Sequence, residues 1–152
     1  MKNKKTLIVI AVLAVVVAAS IILGINLTKK DNLKKHIDTK VSYNHETIYN
    51  QDGVSFDIYT FDNDVVKDVD KNKKFLNVTN NNIDNVMKIF EDYKDDIYHM
   101  DDMLTQFNYR FDPEVTVSAG DKYLFQKDDD GNYLIIYYDV LFEAAFIFEY
   151  NY

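Results

Sequence analysis

Twenty Asp and five Glu are the side chains with which this sequence could most readily do chemistry. Carboxylates act in pairs as general acid and base, and in clusters as ligands for hard cations. The densest cluster is Asp128-Asp129-Asp130-Gly131-Asn132. An EF-hand loop needs Asp or Asn at positions one, three and five, Gly at six and Glu at twelve. With Gly131 as position six, position one is Gln126 and position twelve is Tyr137, so the match fails at both ends. Asp and Gly also suit the dihedrals of a hairpin tip, and that is the expectation here. Asp62, Asp64, Asp68 and Asp70 are expected as a solvated acidic loop rather than a cation site.

His36, His45 and His99 show no metal-ligand spacing, and no H-E-x-x-H occurs. His99 has Asp95, Asp96 and Asp102 at helical neighbour spacings. Such a pair can shuttle protons, but a surface ion pair is the expectation. Ser42, Ser55 and Ser118 lie in no G-x-S-x-G elbow. Gly53, Gly120 and Gly131 are too scattered to cradle a phosphate. Absence of Cys removes thiolate metal sites, disulfides, a Cys nucleophile and a lipidated-Cys anchor. No catalytic, cofactor-binding or metal-ligating residue is therefore assigned. No cofactor is expected, and binding is favoured over catalysis.

The elements that would position any site follow from periodicity. Val41–Asn50 and Val54–Phe61 alternate around Asp52-Gly53, an antiparallel hairpin signal. Residues 62–74 read as a charged loop with a short edge strand at Val65-Val66, and Phe75–Val78 as another short strand. Asn80-Asn81-Asn82 supply helix N-caps. Ile83, Val86, Phe90, Tyr93, Ile97, Met100, Leu104 and Phe107 then recur at alternating spacings of three and four. That pattern predicts one long helix over about 82–107, laid across a sheet rather than paired in a coiled coil. Pro113 closes it, and Val115–Ser118 reads as a strand. Tyr123–Lys127 and Tyr133–Asp139 form a second hairpin, with a turn near Val140–Ala144 and a last strand from Ala145 to Tyr150. The fold class expected is α+β, an antiparallel sheet of about five or six strands on one long helix.

Location is written in Leu7–Ile25, nineteen residues with nothing more polar than Ser20 and Gly24. As a helix this spans roughly 28 Å, close to the thickness of a hydrocarbon core. Cleavage after Ala18-Ala19-Ser20 would leave a mature chain starting Ile-Ile-Leu, so an uncleaved signal-anchor is preferred over a secretory signal. The organisation expected is a basic tail at 1–6, a transmembrane anchor at 7–27, a charged juxtamembrane linker at 28–40 and an acidic domain at 41–152. Seven Lys against one Asp give residues 1–35 a net charge of +6, while residues 36–152 carry −14. The acidic body argues against nucleic acid as a partner. The short basic tail is expected to stay in the cytoplasm, placing the domain outside. Abundant Asn, Lys, Ile and Tyr with scarce Pro, Trp and Arg fit an AT-rich bacterial genome.

Twelve Tyr give the one compositional argument for binding. Tyr43, Tyr49, Tyr59, Tyr123, Tyr133, Tyr137, Tyr138, Tyr150 and Tyr152 fall on predicted strands or their ends. A Tyr-rich sheet face, or the 83–107 helix, is the expected surface for a protein partner or a homodimer. The resulting expectation is a membrane-anchored bacterial protein with an extracytoplasmic binding domain. The alternatives are a cell-envelope hydrolase using acidic residues and a membrane-tethered cytoplasmic regulator.

Overall fold

The computed structural model describes residues 33–151. The expected anchor at Leu7–Leu27 and the residues flanking it up to 32 lie outside the described residues, as does Tyr152. Among the described residues no helix is long and apolar enough to cross a membrane.

The fold is α+β. Six antiparallel strands form one sheet: β1 (Tyr43–Gln51), β2 (Val54–Phe61), β3 (Leu76–Asn77), β4 (Lys122–Lys127), β5 (Tyr133–Asp139) and β6 (Ala144–Tyr150). Their spatial order is β1-β2-β6-β5-β4-β3. The β1–β2 turn places Asp52 at φ 51° and Gly53 at φ 79°, the left-handed pair that a tight hairpin requires. A side chain at position 53 would also strike the Asn151 carbonyl oxygen, 2.4 Å from where a Cβ would stand. β5 and β6 are buried nearly end to end, because both sheet faces are covered.

One face carries Val54, Phe56, Ile135, Tyr137, Phe146 and Phe148 under the main helices. The predicted single helix is two: α2 (Ile83–Asp96) and α3 (Asp101–Arg110). The physical reason lies in charge and backbone. Asp95 and Asp96 crowd the negative C-terminal end of α2, whereas Asp101 and Asp102 sit in the first turn of α3, where the helix dipole favours them. Ile97 and Met100 leave helical geometry between the two. The break also shifts the phase, so Met103 is fully buried where the unbroken pattern named Leu104. Val86, Phe90, Tyr93, Ile97 and Phe107 bury as the spacing predicts. Phe148 anchors this layer. Its ring centroid lies 4.5 Å from Phe56, 5.2 Å from Tyr93 and from Phe111, 5.5 Å from Phe107 and 5.8 Å from Phe90.

The opposite face holds Tyr59, Phe61, Leu124, Ile136, Tyr138 and Ile147. It is covered by two segments expected to be outside the core. Leu33 and Ile37, set in the charged run read as linker, are fully buried there. Val69 of α1 (Val66–Val69), a short helix where an edge strand at Val65-Val66 was expected, joins them, as does Val65 at its N-cap position. Tyr138 accepts a hydrogen bond from the Val65 amide at 3.4 Å, which fixes that helix on the sheet. Val115–Ser118, also expected as a strand, is not one: Val115 and Thr116 end the short helix α4 (Pro113–Thr116), and Val117 and Ser118 follow it outside any strand. The Asp112 carboxylate caps it by accepting the Glu114 amide at 3.0 Å.

Candidate functional site

The structure disperses the acidic clusters. Asp64 accepts the Val66 amide at 2.7 Å, Asp68 pairs with Lys71 at 2.6 Å, and Asp70 pairs with Lys122 at 2.8 Å. Asp128 holds the β4–β5 hairpin tip, accepting the Asp130 amide at 3.0 Å and the Asn132 amide at 2.9 Å. The Asn132 side chain, bonded to Asp128 at 2.9 Å, holds that carboxyl below its usual pKa. Among the described residues no group of three or more His, Asp or Glu is arranged to hold a metal ion.

The three histidines stand apart. His99 is exposed at the break between α2 and α3. His45 stacks on Tyr59 at 4.2 Å, with its Nε2 2.8 Å from Asp57 Oδ1. The Thr47 hydroxyl donates to the same oxygen at 2.6 Å. These residues share one face of the β1–β2 ladder, so the cluster is a cross-strand product of register. His36 is half-buried, and its pKa is lowered first by burial and then by Lys35 and Lys74.

The tyrosines do not form an exposed face. Tyr59, Tyr133, Tyr137 and Tyr138 are buried, divided between the two cores. Tyr43, Tyr49, Tyr123 and Tyr150 are half-buried. Several hydroxyls are spent internally: Tyr133 donates to Asp96 at 2.7 Å, and Tyr137 donates to Asp121. Desolvation is the main cause that raises the pKa of Tyr133 and Tyr137, and it pushes that of Tyr138 up to about 12. The 83–107 surface expected as an alternative contact spends its apolar side on the sheet.

What stands out instead is the β5–β6 turn. Asp121 and Asp139 are each 4% exposed. Asp121 accepts amides from Ser118 and Val140, both at 3.0 Å. Asp139 Oδ1 accepts the amides of Leu141 at 2.9 Å and Phe142 at 3.0 Å. Burial raises the Asp139 pKa, the Phe142 and Leu141 amides oppose that, and the charge of Asp121 adds to it. Three consecutive amides, 140 to 142, are thus held by two buried carboxylates. Glu143 completes the turn at φ 50°, and its carbonyl accepts the Phe61 amide at 2.9 Å. On this fixed backbone Leu141 is 83% and Phe142 68% exposed. They lie in the turn expected near Val140–Ala144, but the apolar run around them gives no sign of their exposure. Asp139, placed to bond the amides two and three residues on, was the available signal.

Compared with known protein families, with curated proteins and with solved structures, the chain matches none.

Proposed function

We propose that this chain is a single-pass, membrane-anchored bacterial protein whose acidic α+β domain faces out of the cytoplasm and acts as an interaction module. The anchor is Leu7–Leu27, and the orientation rests on the basic tail before it. The interaction role rests on the Leu141–Phe142 tip. Two adjacent large apolar side chains held in water on a pinned turn gain free energy when an apolar pocket covers them. Their backbone is ordered in advance, so binding loses little further entropy. The occupant is a protein with an apolar pocket and a basic rim, matching the −14 net charge of residues 36–152.

Crosslinking in intact membranes followed by affinity capture tests this, comparing the full chain, an anchor-only control and the double variant L141S/F142S. A specific partner recovered with the full chain, and reduced at least about tenfold with the variant, supports the reading. Equal recovery from the full chain and the variant refutes the assigned surface. Recovery of nothing beyond the anchor-only control refutes the interaction role. Protease shaving of intact cells tests the orientation, with digestion of the domain expected.

A further inference from the structure

A second feature is independent of that turn and of membrane orientation. A cavity of about 430 Å³ opens between the segment at 34–38 and the segment at 68–74. Its lining includes Lys34, Lys35, His36, Lys71, Asn72 and Lys74, with Asp38 and Asp68. Four lysines against two aspartates leave it net positive at +2, inside a body that is strongly acidic.

The walls are built rather than incidental. Lys34 and Lys35 ride on a single 3-10 turn, Leu33–Lys35, which is seated by its own Leu33 and by Ile37 just after it, both fully buried. Lys71 and Lys74 follow α1, which Val65 and Val69 seat in the same core. Asn72 joins the two segments, its Nδ2 donating to the His36 carbonyl at 3.1 Å while its Oδ1 accepts the Lys74 amide at 3.1 Å. Asp68 pairs with Lys71 at 2.6 Å, which engages one lysine together with one aspartate and leaves the excess of +2 unchanged. Burial is the first cause of the lowered His36 pKa, and the positive charges of Lys35 and Lys74 add to it. Lysine ammonium groups bind phosphate as point charges, and the volume lies within the range of small-ligand sites.

We infer that the cavity between Lys34–Lys35 and Lys71–Lys74 binds a phosphate group. The group comes either from an anionic lipid headgroup or from a free phosphate compound. The lipid source is open because Lys34 stands nine residues after Ile25 in the sequence.

The test uses the full-length, isotope-labelled chain in phosphatidylcholine bicelles, followed by NMR at His36, Asn72 and Lys74. One arm titrates inorganic phosphate, and the other replaces part of the lipid with phosphatidylglycerol. Saturable shifts at these residues in the first arm assign a free phosphate, and shifts confined to the second assign a lipid headgroup. Either result supports the site if K34Q/K74Q weakens binding by about fivefold per lysine removed. K34R/K74R should retain it, and K127Q, remote from the cavity, should leave it unchanged. The inference is overturned by no shift in either arm. It is equally overturned by shifts spread over all lysines, or by equal affinity in K34Q/K74Q and K127Q.

Discussion

Tyr133 donates its phenolic hydrogen to Asp96 across 2.7 Å, tying the C-terminal end of α2 to the first residue of β5. The bond explains how a helix can end on two aspartates, since one of them is used by the sheet. Tyr133→Phe keeps the ring, including its stack on Tyr150 at 5.2 Å, and removes only the donor. We expect a loss of about 1.5–3 kcal/mol in urea unfolding, as for a hydrogen bond to a charged group. An unchanged midpoint would show that water satisfies Asp96 equally well.

Phe148 touches five other aromatic rings and is fully buried. Phe148→Ala should cost about 3–5 kcal/mol through lost transfer energy and a residual cavity. Phe148→Leu should cost markedly less. Similar losses for both variants, measured by chemical denaturation, would argue that ring stacking rather than volume holds this layer.

Glu149 is half-buried on β6, and burial raises its pKa above 4.5, with Lys35 opposing and Asp57 adding. A raised carboxylate pKa means that the fold favours the protonated form. Stability from this group is present below the unfolded value of 4.5 and is lost as pH rises through the folded value. Glu149→Gln should therefore raise the melting temperature near neutral pH by a few degrees, on the order of 2 °C. The gain should shrink as pH falls toward about 4. A gain that does not change with pH would show that the amide stabilises by some route other than charge.

His36 behaves in the opposite sense. Its folded pKa lies below 6.5, lowered first by burial and then by Lys35 and Lys74. Between the folded value and 6.5 the unfolded chain binds more protons, so stability rises with pH through that window. Melting temperatures of the parent should fall on acidification below 6.5, and those of His36→Gln should fall less. Parallel curves would mean that His36 does not titrate differently in the two states.

Much of the fold is legible in residue spacing, and the misses share a cause. Asp52-Gly53 and Asp128–Asn132 mark their hairpins because those dihedrals demand such residues. The apolar positions of α2 and α3 repeat clearly, but the break at Ile97–Met100 is hidden. Electrostatics set it, and the apolar pattern runs on without interruption. Leu33 and Ile37 escape notice because five lysines and two aspartates surround them in residues 28–40, while burial is decided by two side chains alone. Tyr is equally at home in a core and on a surface, so composition does not say that Tyr137 and Tyr138 turn inward. The turn at Val140–Ala144 is legible because the closing run is too long for one strand, but the exposure of Leu141 and Phe142 is not, since two apolar residues inside an apolar run carry no mark of which way they face.

The burial of Leu33 and Ile37 has a mechanical consequence. Tension arriving from the N-terminal side meets these two side chains first, ahead of any strand. They would come away before the hydrogen bonds of β1, whose first residue, Tyr43, pairs with Phe61 at the end of β2. Tyr43 stands at the Phe61 end of β2 and Tyr150 at its Val54 end, so tension between those two residues loads β1, β2 and β6 along their length, in shear, where many hydrogen bonds resist together. The layer that yields first is the one covering Tyr59, Ile147 and Tyr138, and it also carries Lys34 and Lys35. A modest force would thus dismantle the basic cavity while leaving Phe148 and its aromatic neighbours intact.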